Sequence, residues 1–175
     1  MGERPEFADY VAARSAGLQR MAYLLTRDWG RAEDLVQTAL AKAWAAWRRI
    51  DGDPDPYVYR VIVNTHAGGW RRRWRGEVPT AEPPERDDGT DFTGGADDRA
   101  VLWAAIGRLS HRQRAVVVLR YYEGLTFQQV ADVLGCSTGT AKTQSNRALS
   151  RLRVDIDVRS MALGGEMVLN GEGVK

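Results

Sequence analysis

The chain has 175 residues, of which 43% are hydrophobic and 27% are charged, and its formal net charge is +2. This composition is typical of a folded protein with one ordinary domain or two small ones, and it excludes a wholly disordered chain. No apolar run approaches the roughly 20 residues that span a bilayer, and the first residues lack the apolar core of a signal peptide. We therefore expect a cytoplasmic protein without a membrane partner.

The small net charge is the sum of large opposite charges along the chain. Residues 42–76 carry +5, residues 77–98 carry −7 and residues 99–153 carry +7. Two basic blocks of this kind favour polyanionic partners. The acidic block between them holds three prolines, three glycines and few large apolar side chains. It cannot bury enough surface to offset its ordering entropy, so the sequence predicts a flexible acidic linker.

Apolar residues recur at helical spacing from Phe7 to the end of the first basic block. The spacing predicts one helix from Phe7 to about Leu25, a second over residues 32–47, and a third that begins near Pro54. The second helix is expected to end at residues 51–56, because proline cannot continue the hydrogen-bond ladder and glycine readily ends a helix. Asn64 is expected at the end of the third helix, just before two glycines, and His66 is expected in a loop.

The first candidate nucleic-acid site follows this helix. Residues 70–75 contain two tryptophans and four arginines. Arginines bind phosphates, and tryptophans stack on unpaired bases. The Asn64 amide could reach the Watson–Crick edge of an extruded base. A solvated basic helix end, with Trp70 and Trp74 packed inward, explains residues 70–75 equally well.

Helical spacing returns at about Arg99. Two N-terminal capping boxes follow, over residues 110–113 and 126–129, because each places a hydroxyl and an amide three residues apart. The helix between them is expected to end at Gly124. No convincing strand-period segment occurs, so the sequence predicts an all-α fold.

The second candidate site is a helix-turn-helix. A short helix over residues 126–134, a tight turn over 135–137 and a second helix over 138–153 have the motif's lengths. In this motif the second helix lies in the major groove, and its outward side chains here are short hydroxyls and amides followed by Lys and Arg. An ordinary helical hairpin with a solvated face is the alternative interpretation.

Signatures of catalysis are weak. His66 and His111 are 45 residues apart and belong to no metal-binding motif. No glycine-rich phosphate loop follows a strand, and Cys136, the only cysteine, excludes an internal disulfide and a cysteine-rich zinc site. We therefore expect no catalytic residue, no metal, no cofactor and no small-molecule substrate.

Four stretches of the chain together resemble a known family. They are residues 32–37, 57–65, 112–122 and 134–153. In this order and spacing they resemble the bacterial extracytoplasmic-function (ECF) sigma factors of the sigma-70 superfamily, and most of all the actinobacterial sigma-E-like group.

The resemblance spans roughly residues 5–153 and implies two small helical domains joined by the acidic linker. The implied division is a sigma region 2-like domain over residues 1–76, the linker over 77–98 and a sigma region 4-like helix-turn-helix domain over 99–153. Residues 154–175 match nothing in the family, and they are expected to be a disordered tail.

The resemblance also implies a function and its sites. It implies a transcription initiation factor, not an enzyme, that directs core RNA polymerase to specific promoters, with promoter DNA and polymerase as partners and an anti-sigma factor as a plausible further one. The implied polymerase-docking residues are Asp34, Leu35, Gln37 and Trp44. The implied minus-ten residues are Asn64, Thr65, Trp70, Arg71, Arg72 and Arg73. The implied minus-thirty-five residues are Ser137, Thr138, Thr140, Lys142, Thr143, Asn146 and Arg147.

The sequence departs from the family in the second helix of the motif. Gln144 and Ser145 replace the more frequent Arg-Leu pair, which removes a large apolar side chain from the buried stripe.

Two other classes of protein remain open: a stand-alone helix-turn-helix regulator whose N-terminal helices serve dimerisation or sensing, and a protein-interaction module whose basic faces bind acidic proteins. A regulator of duplex DNA has no need of residues 64–75.

Overall fold

The computed structural model describes residues 6–76 and 96–169, and the side chains of residues 6–69 and 99–155. Both stretches are helical and contain no strand, which confirms the predicted all-α fold. The α-helices in these stretches are α1 (Phe7–Thr26), α2 (Trp29–Ala46), α3 (Asp55–Gly76), α4 (Ala96–Gly107), α5 (His111–Val117), α6 (Phe127–Leu134) and α7 (Thr138–Leu169).

Helices α1 and α2 are joined by a tight turn, which lies in the gap between the first two predicted helices. Arg27 ends α1 in the left-handed conformation, with φ 59°, and its N–H donates to the Tyr23 carbonyl at 2.7 Å. Asp28 then caps α2, since its carboxylate accepts from the Arg31 N–H at 2.8 Å. A 3₁₀ turn over Trp47–Arg49 follows α2. The two helices pack side by side and α3 lies against α2, which completes the first unit.

Helix α3 is longer than the sequence predicted. It continues past Asn64 and through both glycines to Gly76, so the expected helix end and the expected loop at His66 are wrong. Glycine in a helix interior costs only about 1 kcal/mol. The fully buried Val58 and Ile62 hold the preceding turns of α3 in the core, so the helix continues through the two glycines. The predicted linker is also shorter than expected, since α4 begins at Ala96, while residues 77–95 lie outside the described residues.

The second unit is built on the two predicted capping boxes, and both are present. Ser110 and Gln113 cap α5, and Thr126 and Gln129 cap α6, each pair through reciprocal hydrogen bonds. Between these helices the chain makes a π-helical turn over Val118–Tyr122. Gly124, with φ 72°, then reverses the chain, in agreement with the predicted helix end.

The helix-turn-helix has the predicted bounds at its turn. Gly135 ends α6 with φ 63°, and the Ser137 hydroxyl accepts from the Thr140 N–H at 3.0 Å at the start of α7. Helix α7 continues well beyond Arg153 to Leu169, so the expected disordered tail is wrong for residues 154–169. No helix-breaking residue occurs between Arg153 and Gly164, which allows the helix to continue. Residues 170–175 lie outside the described part.

The two units share one hydrophobic core. Leu18 and Met21 from α1 and Val58 and Ile62 from α3 belong to the same buried cluster as residues of the second unit. Those residues are Ala115, Val116, Val118, Leu119, Val130, Ala131, Val133 and Ala141. A smaller cluster of Ala105, Leu109, Ala148 and Leu152 holds α4 against α7. The first unit therefore packs directly on α5 and α6 of the second.

Candidate nucleic-acid and protein interfaces

An open groove of about 300 Å³ lies between α2 and α3. We call it the α2–α3 groove, and its lining residues are Lys42, Tyr57, Arg60, Val61, Asn64, Thr65 and Gly68. The Asn64 side chain is exposed. An amide carries two donors and an acceptor, an aromatic ring offers a stacking face, and two cations bind phosphates. The groove thus combines the groups that an unpaired nucleotide needs.

The structure brings Asn64 and Thr65 together with three residues that the sequence interpretation missed. Tyr57 and Arg60 precede Asn64 by seven and four residues, which places them on the same face of α3. That spacing could have identified them. Lys42 comes from α2, so only the packing of α2 on α3 brings it to the groove. Trp70, Arg71, Arg72 and Arg73 continue the helical backbone of α3, and their side chains lie outside the described residues.

The outer face of α7 carries the predicted reader residues. Lys142, Thr143, Asn146 and Arg147 are exposed, and we call them the α7 polar face. The remaining predicted residues organise the start of the helix. The Ser137 hydroxyl lies 2.8 Å from that of Thr140, and the Thr138 hydroxyl donates to the Gln128 side chain at 2.9 Å. The α7 polar face is therefore presented to solvent on a firmly capped helix.

Ser145 lies beneath this face, and its surroundings explain the departure from the family pattern. The residue is fully buried, with no exposed surface. Its hydroxyl lies 3.2 Å from the hydroxyl of Tyr121 in the π-helical turn. This hydrogen bond satisfies a polar group that burial would otherwise penalise.

Helix α2 also presents an exposed face, separate from the α7 polar face. At 100° per residue, Asp34, Gln37 and Trp44 fall within an arc of about 80°, and all three side chains are exposed. Trp44 is 65% exposed and contacts the ring of Phe7 at a centroid distance of 5.0 Å. We call these three residues the docking stripe. Leu35 is only 9% exposed and belongs to the core, so it lies beneath the docking stripe and is not one of its exposed residues.

A polar cluster joins the two units, and we call it the Arg14 cluster. Asp55 of α3 accepts from the Tyr10 hydroxyl at 2.8 Å and pairs with the Arg14 guanidinium at 2.9 Å. Arg14 also donates to the Tyr59 hydroxyl. Glu123 is the member from the second unit, and it accepts from the Tyr59 hydroxyl at 2.6 Å and pairs with Arg14 at 3.5 Å.

The ionisation of this cluster follows from its burial. Burial, and then a hydrogen bond to a carboxylate, raises the pKa of the Tyr10 and Tyr59 hydroxyls well above the ordinary value. Burial lowers the pKa of Arg14, but the neighbouring Tyr59, Asp55 and Glu123 more than compensate and raise it overall. At neutral pH the two tyrosines are therefore neutral hydrogen-bond donors and Arg14 is a cation.

Two histidines meet at the same boundary between the units. The His66 Nε2 atom of α3 lies 3.3 Å from the His111 Nδ1 atom of α5. Burial, with the nearby His111, Arg114 and Arg31, lowers the pKa of His66 to about 4. Burial and Arg114 lower the pKa of His111 to about 4 as well. Both rings are therefore neutral at physiological pH.

Buried and exposed arginines make further contacts across the boundary. The buried Arg114 of α5 donates to the Leu25 carbonyl at the end of α1, at 2.9 Å. Arg60, on the rim of the α2–α3 groove, donates to the Asp132 carbonyl of α6 at 3.4 Å. The boundary between the units is thus both apolar and hydrogen-bonded.

Over the described stretches of the chain, no helix is both long and apolar enough to cross a membrane. No group of three or more His, Cys, Asp or Glu side chains there could hold a metal ion.

Both units match known families. Residues 11–76 match the family Sigma-70 region 2, and residues 105–154 match the family Sigma-70, region 4. The first range contains the α2–α3 groove and the docking stripe, and the second contains the helix-turn-helix.

Relatives cover nearly the whole chain. The chain is 41% identical over 165 residues to the RNA polymerase sigma-E factor of Streptomyces coelicolor, with 92% of each chain covered. It is 40% identical to the RNA polymerase sigma-E factor of Streptomyces avermitilis, over 91% of this chain and 90% of the relative. It is 31% identical to the ECF RNA polymerase sigma factor SigL of Mycobacterium tuberculosis, over 81% and 84%.

Solved structures share the fold. The sigma factor RpoE of Bartonella quintana, solved in complex with the anti-sigma factor NepR, matches with a TM-score of 0.66 and 25% identity, over 87% of this chain and 97% of that one. CnrH, solved in complex with the cytosolic domain of CnrY, matches with a TM-score of 0.61. At 24% identity the second likeness concerns the fold alone.

Proposed function

This chain belongs to the extracytoplasmic-function branch of the sigma-70 family of RNA polymerase sigma factors, and we propose how its surfaces divide the work of promoter recognition. As a sigma factor it directs core RNA polymerase to specific promoters and starts transcription there. In this role it supplies recognition, while the polymerase supplies the chemistry. The observation that carries the assignment of sites is that three separate exposed surfaces lie in the two matched regions.

The α2–α3 groove is the proposed minus-ten site. Asn64 and Thr65 form its polar wall, and the Tyr57 ring and the Lys42 and Arg60 cations complete it. An extruded base can stack on the ring and bond the amide, while the cations bind the flanking phosphates. The arginines at positions 71–73 follow on the same helix and extend the positive charge. We propose that they bind the backbone of the same element.

The α7 polar face is the proposed minus-thirty-five reader. A helix-turn-helix places the start of its second helix against base edges in the major groove. Lys142, Asn146 and Arg147 carry the donors and acceptors that such readout uses, and all are exposed. Ser137, Thr138 and Thr140 cap the helix and lie at its DNA-facing end, so we assign them to the same site.

The docking stripe on α2 is the proposed contact with core polymerase. An exposed tryptophan flanked by polar groups is typical of the anchors that dominate protein interfaces. Trp44 would bury most of its exposed ring on binding, while Asp34 and Gln37 would supply directional hydrogen bonds at the rim. Leu35 acts from below by holding α2 in the core. The partner in this proposal is polymerase, so the site of action is the cytoplasm.

The proposed domain division follows the two matched regions. Residues 1–76 form the first domain, and the second begins at Ala96, slightly before the position that the sequence indicated, and includes the long α7 helix. An anti-sigma factor is a proposed further partner, and the complex of the Bartonella quintana relative with NepR supports it.

Run-off transcription tests the proposed function. Purified core polymerase is supplied with the chain and with a library of genomic fragments, and specific transcripts are expected only when the chain is present. Trp44→Ala is expected to weaken polymerase binding about 10-fold to 100-fold, measured by fluorescence anisotropy. Leu102→Ala removes another exposed apolar side chain, on α4, and is the matched control that keeps full affinity. Transcription from no fragment would refute the function, and equal losses in both variants would refute the docking stripe.

A further inference from the structure

Two adjacent glycines lie in the interior of α3, and the fold requires neither of them. Gly68 and Gly69 continue the helix, and neither has a positive φ. A Cβ atom added at either position would meet no atom of the surrounding structure within 4 Å. Glycine in a helix interior is less favourable than alanine, because it loses more conformational freedom on folding. Alanine at either position would therefore fit the fold and stabilise it.

The other glycines whose surroundings are described differ from these two. Each has either a positive φ or a side-chain atom within 4 Å of the place where its Cβ would lie. A Cβ on Gly107, for example, would overlap the guanidinium of Arg27. The glycines with positive φ are Gly52, Gly124 and Gly135. Within the described part of the chain, Gly68 and Gly69 are thus the two glycines that the backbone and the packing leave unexplained.

Of these two, Gly68 lines the α2–α3 groove and Gly69 does not. Gly68 follows Val61 by seven residues and Asn64 by four, so all three fall within about 60° of arc on one face of α3. Gly69 lies about 100° further around the helix. The groove holds about 300 Å³, which is at the lower end of the range for small-ligand sites. A side chain on Gly68 would therefore occupy space in the groove, whereas one on Gly69 would lie outside it.

Gly68 also lies between the groups that the proposed function assigns to bases and to phosphates. Asn64 is one helical turn before it, and the arginines at positions 71–73 begin three residues after it. A single strand that is bound through a base at Asn64 and through phosphates at these arginines crosses α3 at Gly68. Glycine is the residue that allows another molecule to approach a backbone closely.

We propose that Gly68 is a contact residue of the minus-ten site, where the unpaired DNA strand lies directly against the backbone of α3. The proposal rests on the proposed function and adds to it a residue that acts through the absence of a side chain. The missing Cβ lowers the stability of the helix and leaves room for the strand between its bound base and its bound phosphates. Because the contact is with sugar and phosphate, it favours no particular base sequence.

Gly68→Ala and Gly69→Ala form a matched pair that separates stability from binding. Both variants of the full chain should raise the midpoint of thermal unfolding by about 2–4 °C. Binding of a labelled single-stranded DNA of mixed sequence is measured on the same proteins by fluorescence anisotropy. Gly68→Ala should weaken this binding about 5-fold or more, since loss of one stacked base has at least that effect. Gly69→Ala should bind as the wild type does.

A larger side chain tests whether the loss is steric. Gly68→Leu should weaken single-strand binding further than Gly68→Ala, whereas Gly69→Leu should bind as the wild type does. Leucine and alanine both favour helix, so helix propensity cannot explain a difference between the two positions. Equal binding by the Gly68 and Gly69 variants would overturn the proposal. A lower unfolding midpoint in Gly68→Ala would also overturn it, because the glycine would then be needed by the fold.

Transcription by the complex with core polymerase separates this proposal from the proposed function. On a fragment that the wild type transcribes, Gly68→Ala should slow formation of the open complex, measured by permanganate footprinting, and Gly69→Ala should not. Transcription by the wild type, with single-strand binding and opening unchanged in Gly68→Ala, would refute only the role of Gly68. Loss of single-strand binding confined to the Gly68 variants, in a chain that supports no transcription, would refute only the function.

Discussion

Asn64 and Arg147 are exposed polar side chains on different helices, and each serves one promoter element in the proposed function. Asn64 lies in the α2–α3 groove, and Arg147 lies on the α7 polar face. Neither side chain is buried, so truncating either one removes a contact with DNA without opening a cavity in the core. Substitutions at these positions therefore separate the two recognition steps.

We expect reciprocal effects from truncating these side chains. Asn64→Ala should slow formation of the open complex about 10-fold to 100-fold, because a good base contact contributes about 1–3 kcal/mol. It should leave binding to duplex minus-thirty-five DNA unchanged. Arg147→Ala should weaken that duplex binding by a similar factor. Permanganate footprinting measures opening, and anisotropy measures binding.

Arg112→Ala is the control for the loss of an arginine charge, since Arg112 is exposed on α5 and belongs to neither surface. It should change neither measurement by more than the general effect of one charge. If Asn64→Ala reduced duplex binding as much as opening, the assignment of Asn64 to an unpaired base would be wrong.

Ser145 is a residue whose effect the sequence misjudged. The sequence indicates a missing apolar group in the buried stripe, whereas Tyr121 lies against Ser145 and bonds its hydroxyl. A residue of the π-helical turn, 24 positions earlier, supplies the partner that the buried hydroxyl needs. Such compensation depends on tertiary packing, which the spacing of apolar residues along one helix does not reveal.

Restoring the more frequent residue at this position should therefore destabilise the protein. Ser145→Leu inserts a large side chain into a filled site, and overpacking of this kind costs about 1–3 kcal/mol. Urea unfolding followed by circular dichroism should show a lower midpoint with an unchanged slope. The double variant Ser145→Leu/Tyr121→Ala makes room for leucine and should recover part of the loss. A stabilised single variant would contradict the packing described here.

At the scale of elements, the helix-turn-helix is the part that the sequence predicts best. The capping box that opens it, like the one that opens α5, needs only residues three positions apart, so local spacing is sufficient to identify both boxes. Helix α3 is the opposite case. Two glycines indicate a helix end at residues 68–69. The buried side chains before them fix the helix axis, however, and the cost of glycine in a helix is too small to end α3 there. Local sequence patterns therefore fail to predict a helix end where tertiary packing outweighs the cost of glycine.

The capping box of α6 should contribute measurably to stability. Thr126→Ala removes the hydroxyl that accepts from the Gln129 N–H, and loss of such a cap costs about 1 kcal/mol. Thermal unfolding should show a lower midpoint. Ser150→Ala removes an exposed hydroxyl within α7 and is expected to change the midpoint little. Equal shifts in the two variants would show that the cap is not the cause.

At the scale of the whole molecule, the least predictable feature is the boundary between the units. His66 and His111 belong to no motif in the sequence and are 45 residues apart, yet their rings meet there. Arg14 and Glu123 are separated by 109 positions. Charge and periodicity predict two helical units, but the way in which the units pack depends on the complementarity of surfaces that are assembled only after folding.

The histidine pair makes this boundary sensitive to acid. Both pKa values are lowered from 6.5 to about 4 in the packed chain, so the separated units bind protons more readily than the packed ones. The contribution of the pair to packing is complete above about pH 6.5 and is lost as the pH falls toward 4. At pH 5.5 each histidine should cost the packed state about 1 kcal/mol.

Proton NMR can follow both histidine rings directly, because they are the two histidines of the chain. In the free protein both should remain neutral until well below pH 6, with Arg31 and Arg114 as the neighbouring charges. In the urea-unfolded chain, where both rings are exposed to water, both should titrate near the ordinary pKa of about 6.5. Ordinary titration of both rings in the wild type would contradict the packing of α3 on α5.

The position of the Arg14 cluster has a consequence for the genes under the control of this factor. None of its members lines the α2–α3 groove or belongs to the α7 polar face, so a substitution in it changes the stability of the boundary between the units without altering which bases are preferred. Output from every dependent promoter should then rise or fall by a common factor. Substitutions at Tyr59 or Glu123 can thus change the strength of the whole response during evolution, while the set of dependent promoters stays the same.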